Sequence, residues 1–121
     1  MSFKTPNIKQ LERFLNAKEY VKILQIVGTQ YKSLNELFLA VESYIGLEQY
    51  DLPEKLLINW QSKLTGSEQW AQWCYLYAKC LLGMKNKRDA FTTLKFASDF
   101  LKTIENADLK KKIEILQKES S

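Results

Sequence analysis

A pair of aromatic residues sets the strongest constraint on this chain. Phe14 and Tyr20 return 30 residues later as Tyr44 and Tyr50, each pair straddling a short turn. In the same register Leu11, Leu15 and Val27 correspond to Val41, Ile45 and Leu57, and Glu12 corresponds to Glu42. A third copy, shifted by a further 37 residues, puts Ala78, Leu81, Ala90 and Leu94 at the equivalent places. Self-similarity at this period predicts successive copies of one helical hairpin, each burying its apolar face against the next.

The punctuation between the copies predicts seven helices. Thr5-Pro6 offers a capping residue followed by proline at the first helical position, where the missing N–H costs nothing. Four further starts pair a capping side chain with an acid three residues on: Asn16 with Glu19, Ser33 with Glu36, Asp51 with Glu54, and Asn86 with Asp89. Ser67 after Gly66, and Asn106, add two more. The helices are placed at 6–15, 17–31, 34–47, 52–64, 68–83, 87–104 and 107–118. Apolar spacing agrees: Leu34, Leu37, Phe38, Val41 and Ile45 form one stripe, and Phe91, Leu94, Ala97, Leu101 and Ile104 another. Trp70, Trp73, Tyr77 and Leu81 line a third helix, which is apolar on more than one side and therefore expects neighbours on more than one side. No run alternates long enough to compete as a strand. The expected class is all-α.

Composition removes several chemistries. Among 121 residues there is no His, which excludes Ser-His-Asp and Cys-His nucleophiles, imidazole metal ligands and HExxH zinc sites. Gly28, Gly46, Gly66 and Gly83 stand singly near helix ends, so no glycine-rich phosphate loop exists. The reading is of a non-enzyme with no cofactor, no metal and no small-molecule substrate. Cys74 and Cys80 fall on one helix, roughly 9 Å apart along its axis, whereas a disulfide needs Cα atoms within about 7 Å. The first ten residues are polar and no uncharged stretch approaches the roughly 20 residues that cross a bilayer, so a cytoplasmic or nuclear protein without membrane contact is expected.

The repeats resemble the tetratricopeptide repeat. The third copy fits best: Ala78, Ala90, Leu94 and Ala97 sit on that family's small, small, large and small positions, with Cys74, Tyr77 and Leu81 on its large apolar ones. Leu11 and Val41 stand where the family prefers a small residue, and Pro53 replaces its second alanine. The resemblance implies one domain over 1–121, a short right-handed α-solenoid of three hairpins (about 5–32, 33–65 and 67–104) and a capping helix at 106–119. Leu109, Ile113 and Leu116 give that last helix one apolar edge, as a terminal cap requires. A generic helical bundle is the competing architecture. Phe38-Leu39-Ala40 through Tyr50, and Tyr75 through Cys80, are also similar to the N-terminal repeats of the scaffold subunits of the anaphase-promoting complex, which implies a scaffold role in the cell cycle and a possible homodimer.

In the tetratricopeptide family the first helix of each hairpin lines a concave groove. That carries the partner-binding surface onto Ile8, Glu12, Leu15 and Asn16, then Asn35, Phe38, Glu42 and Ile45, then Gln72, Tyr75, Lys79 and Leu82. Aromatic anchors among amides suit a protein or peptide ligand, with Phe38 and Tyr75 as energetic centres. The clamp that holds acidic chaperone tails is absent, since its positions read Ile8, Glu12, Leu39, Gln72 and Leu76. The rival function is nucleic-acid or acidic-partner binding. Residues 61–121 carry eleven bases against seven acids, concentrated at Lys85, Lys87, Arg88 and Lys110, Lys111, Lys112. No aromatic residue is interleaved with these cations, so nucleic acid is the less favoured partner.

Overall fold

Amphipathic runs joined by turns that close on their own backbone produce a chain of helices. The computed structural model describes residues 8–103 and 105–120, apart from the side chains at 100 and 101. Over the described residues the fold is all-α, without a strand: α1 (Ile8–Asn16), α2 (Tyr20–Val27), α3 (Leu34–Gly46), α4 (Asp51–Trp60) followed by a 3₁₀ turn (Gln61–Lys63), α5 (Ser67–Gly83), α6 (Lys87–Leu101) and α7 (Ala107–Ser120). The Thr5-Pro6 start lies outside the described residues, as do Ile104 and the side chain of Leu101.

Three of the turns are one structure used three times. Lys18, Glu48 and Lys85 adopt left-handed backbone with φ of 59°, 60° and 64°. Their N–H groups donate to the carbonyls of Leu15, Ile45 and Leu82 at 3.0, 2.9 and 3.0 Å. The next N–H in each case, on Glu19, Gln49 or Asn86, reaches back to Phe14, Tyr44 or Leu81 at 2.9, 2.9 and 2.8 Å. This pair of bonds satisfies carbonyls that a helix end leaves open. Each set of residues follows the previous one by the same 30 and 37 positions that relate the sequence copies.

At two of these turns the expected cap falls outside the capping position, whereas at the third, the Lys85 turn, Asn86 occupies it. Asn16 is the last residue of α1 rather than the cap of α2, whose start at Glu19 has no side-chain cap. Asp51 is the first residue of α4, preceded by an uncapped Tyr50. Ser67 is likewise the first residue of α5; its flank is bound instead by Gln69, whose side-chain oxygen accepts from the Thr65 N–H at 2.8 Å. The other three caps form: Ser33 accepts from the Glu36 N–H at 3.2 Å, Asn86 from Asp89 at 3.2 Å and Asn106 from Leu109 at 3.1 Å.

Three helices end three or four residues earlier than their periodicity suggests, one of them α6, which stops at Leu101. α2 stops at Val27, where Gly28 takes φ 67° and its N–H closes on Leu24. α4 tightens after Trp60 because the Gln61 N–H turns to the Ile58 carbonyl. The Leu57 carbonyl accepts the Trp73 indole N–H from α5 at 2.7 Å instead, a buried bond that ties the second hairpin to the third.

The odd-numbered helices pack in series, α1 on α3, α3 on α5 and α5 on α7. Each even-numbered helix lies against the odd-numbered helices before and after it. Equivalent residues fill equivalent places: Leu11, Val41 and Ala78 are buried, as are Ile23, Pro53 and Ala90, and Val27, Leu57 and Leu94. Leu109, Ile113 and Leu116 of α7 complete the larger core, which runs from α3 to α7. A smaller cluster of Leu11, Ile23, Val27, Leu39 and Ala40 joins the first hairpin to α3. Cys74 and Cys80 are both free and buried. Burial pushes both thiols up to about 12, which leaves them protonated at neutral pH.

Candidate functional site

Series packing of the odd-numbered helices brings one row of side chains together. Glu12, Glu42 and Lys79 are equivalent positions of the three copies, on α1, α3 and α5. A surface depression of about 450 Å³ opens beside them, lined by Leu15 and Asn16 of α1, Tyr20 at the start of α2, Glu42, Ile45 and Gly46 of α3, Tyr75 and Lys79 of α5, and Lys112 of α7. A second hollow of about 240 Å³ shares Tyr75, Lys79 and Lys112 and extends to Ile115, Leu116 and Glu119. The two adjoin at these three side chains, and the channel they outline draws on α1, α2, α3, α5 and α7.

Glycine makes part of this shape. A Cβ on Gly46 would overlap the ring of Tyr20, and a Cβ on Gly83 would overlap the ring of Tyr50. Tyr20 and Tyr50 both follow a left-handed turn, and both lay their rings on the last residue of the next odd-numbered helix. These aromatic–glycine contacts are a repeat feature that stands in the sequence as tyrosines 30 apart and glycines 37 apart.

The electrostatics of the channel are mixed. The Glu42 carboxyl is raised above its ordinary value, first by burial and then by Glu12, against the opposing pull of Lys112 and Lys79. Among the described residues neither lysine closes an ion pair with it. Lys112 is held by Asp108 at 3.4 Å, one turn back on α7. The Lys79 ammonium sits 5.4 Å from the centre of the Tyr75 ring. Burial also raises the Tyr75 hydroxyl, helped by Glu42, Glu119 and Asp108. The arrangement can bond a ligand through an aromatic face, an amide (Asn16), a carboxylate and an ammonium.

Of the expected groove residues, Leu15, Asn16, Glu42, Ile45, Tyr75 and Lys79 come together in the depression, with Glu12 close enough to act on the charge of Glu42. Ile8, Asn35, Phe38, Gln72 and Leu82 do not line it. Asn35 is exposed, Gln72 half-buried, and Phe38 packs partly buried against the larger core. Tyr20, Gly46 and Lys112 are lining residues absent from that expected set. Lys112 enters because α7 packs on α5, so one of the expected basic residues belongs to the channel. Lys85 and Lys111 are exposed and Lys110 half-buried. Lys87 and Arg88 line a different surface hollow of about 480 Å³ with Phe91, Thr92 and Ser120.

Among the described residues no three His, Cys, Asp or Glu side chains gather as metal ligands, and no helix is long and apolar enough to cross a membrane. Comparison with protein-family models, curated proteins and solved structures finds no match to this chain.

Proposed function

We propose that this protein is a non-catalytic interaction module, a short right-handed α-solenoid of three tetratricopeptide-like hairpins closed by α7, which holds a peptide or partner helix in the channel along its odd-numbered helices. One observation carries this reading: residues from α1, α2, α3, α5 and α7 converge on a single open depression that combines an aromatic ring, an amide and both signs of charge. Ligand sites of this kind pair apolar walls with a few placed polar groups. The triplicated left-handed turn and the tyrosine–glycine contacts support a repeat stack over a generic bundle. The role suits a scaffold in the cytoplasm or nucleus, where two buried thiols stay reduced.

The test is capture of partners on wild type and on Tyr75→Ala, followed by affinity measurement across salt concentrations. A groove ligand is lost on Tyr75→Ala, and its affinity falls only modestly with salt, as one or two charge contacts allow. Binding that survives Tyr75→Ala and falls steeply with salt points to phosphate contacts at Lys85, Lys87 and Arg88 instead, and overturns the reading.

Self-association is a second reading, favoured by the exposed Val21, Ile26, Leu52, Ile58, Phe91 and Phe96 on α2, α4 and α6. Sedimentation at high concentration tests it. A dimer that Phe96→Ser dissolves supports it, and a monomer at every concentration ends it.

A further inference from the structure

The charges along the channel have an order. Glu12 and Glu42 come from α1 and α3, while Lys79 and Lys112 come from α5 and α7. Both channel cations thus come from α5 and α7, although α7 also brings Asp108 against Lys112 and Glu119 into the adjoining hollow. Glu42 is the carboxylate at the lining, and no described side chain neutralises it at close range. Lys112 is already engaged by Asp108. Glu119 lies beyond it in the adjoining hollow, which leaves Lys79 as the cation the channel offers. A half-buried carboxylate with no ion pair among the described residues, and an ammonium resting only against an aromatic ring, both gain when a ligand supplies the opposite charge.

We propose that the channel takes a peptide segment bearing two opposite charges, a Lys or Arg side chain set over Glu42 and an Asp or Glu side chain set over Lys79. This rests on the reading of the depression as a peptide groove. Packed helices lie about 8–10 Å apart, so the two charges of the ligand are separated by roughly that distance. An extended peptide covers it in about three residues, and a helix in about six or seven. The order of the charges also fixes the direction in which the segment crosses the row.

Selection of random dodecapeptides displayed on phage against wild type, Glu42→Gln, Lys79→Gln and Tyr75→Ala tests this, with thermal unfolding of each variant to establish that it is folded. Wild type is expected to enrich peptides with one basic and one acidic position at constant separation. Glu42→Gln should erase the basic preference alone, and Lys79→Gln the acidic preference alone. Each should weaken a wild-type-selected peptide by about tenfold to a hundredfold. Binders that depend on Tyr75 but show no charge pattern, or keep the same pattern on both variants, overturn this inference and leave the groove standing. Failure to select any peptide that depends on Tyr75 overturns both.

Discussion

The first hairpin and the third share a turn, bond for bond, yet are held very differently. Lys18 and Lys85 occupy the same left-handed position and close the same two hydrogen bonds. Around Lys18, α1 buries only Leu11 among its nine residues. Around Lys85, α5 buries Ala71, Trp73, Cys74, Leu76, Ala78, Cys80 and Leu81. The repeat thus resides in local backbone geometry, while burial follows the number of neighbours each copy has. α5 is flanked by α3, α4, α6 and α7, whereas α1 meets α2 and α3. The channel spans both regimes, with Tyr75 and Lys79 on the densely packed helix and Leu15 and Asn16 on the sparsely packed one.

Truncation in the two regions breaks this comparison most sharply. Leu76 and Leu11 are both essentially sealed, at 0% and 1% exposure. Leu76→Ala should cost about 3–5 kcal/mol and lower the stability of the whole fold, because a cavity in the shared core cannot collapse. Leu11→Ala should cost about 2–3 kcal/mol, and amide exchange should rise in α1 and α2 while α5 and α6 stay protected. Uniform exchange in both variants would mean the hairpins are equally coupled.

The tyrosine–glycine contacts come next in size. Gly83→Ala and Gly46→Ala each gain helix propensity but must displace a tyrosine ring, and overpacking of about 1–3 kcal/mol should outweigh a propensity gain of about 1 kcal/mol. Chemical denaturation of both variants, with Tyr50→Ala and Tyr20→Ala as partners in double-mutant cycles, reads the coupling. Loss of the penalty in each cycle's double mutant is the expected result.

The turns themselves sharpen the comparison. Non-glycine residues strain at positive φ, so Lys18→Gly, Glu48→Gly and Lys85→Gly should each stabilise by about 0.5–1 kcal/mol. Three similar gains would show that the turn energy is local and independent of the packing around it.

Glu42→Gln gives an effect with a defined sign. The folded carboxyl is raised above its unfolded value, so Glu42 favours the fold when protonated and that contribution is lost as pH rises through the raised value. At neutral pH the glutamine variant should unfold at a higher temperature than wild type, and the two should converge below the ordinary carboxylate range. A neutral-pH loss of stability would mean that Lys79 or Lys112 pairs with Glu42 in solution.

Much of the fold was legible because helix periodicity and repeat register are both written in apolar spacing. Offsets of 30 and 37 residues, found from aromatic and aliphatic matches, coincide with the spacing of the left-handed residues. Those residues themselves were not legible, since Lys and Glu carry no left-handed signal of the kind glycine does. Asn16 and Asp51 were misread because the turn decides which residue precedes the helix: Glu19 stands before α2 and Tyr50 before α4, whereas Asn86 does stand before α6. Within the site, Asn16, Glu42, Tyr75 and Lys79 came from carrying the groove that the tetratricopeptide resemblance implies onto this chain. Lys112 did not, because only tertiary packing brings α7 against α5. Phe38 illustrates the opposite failure, a residue in the same register as Tyr75 that packs against the core without lining the depression.

The most direct measurement is the amide spectrum of isotope-labelled protein titrated with a peptide captured on wild type. The account predicts shifts confined to the row through Asn16, Glu42, Tyr75, Lys79 and Lys112. Shifts centred on Lys85, Lys87 and Arg88, with the row unmoved, would contradict it.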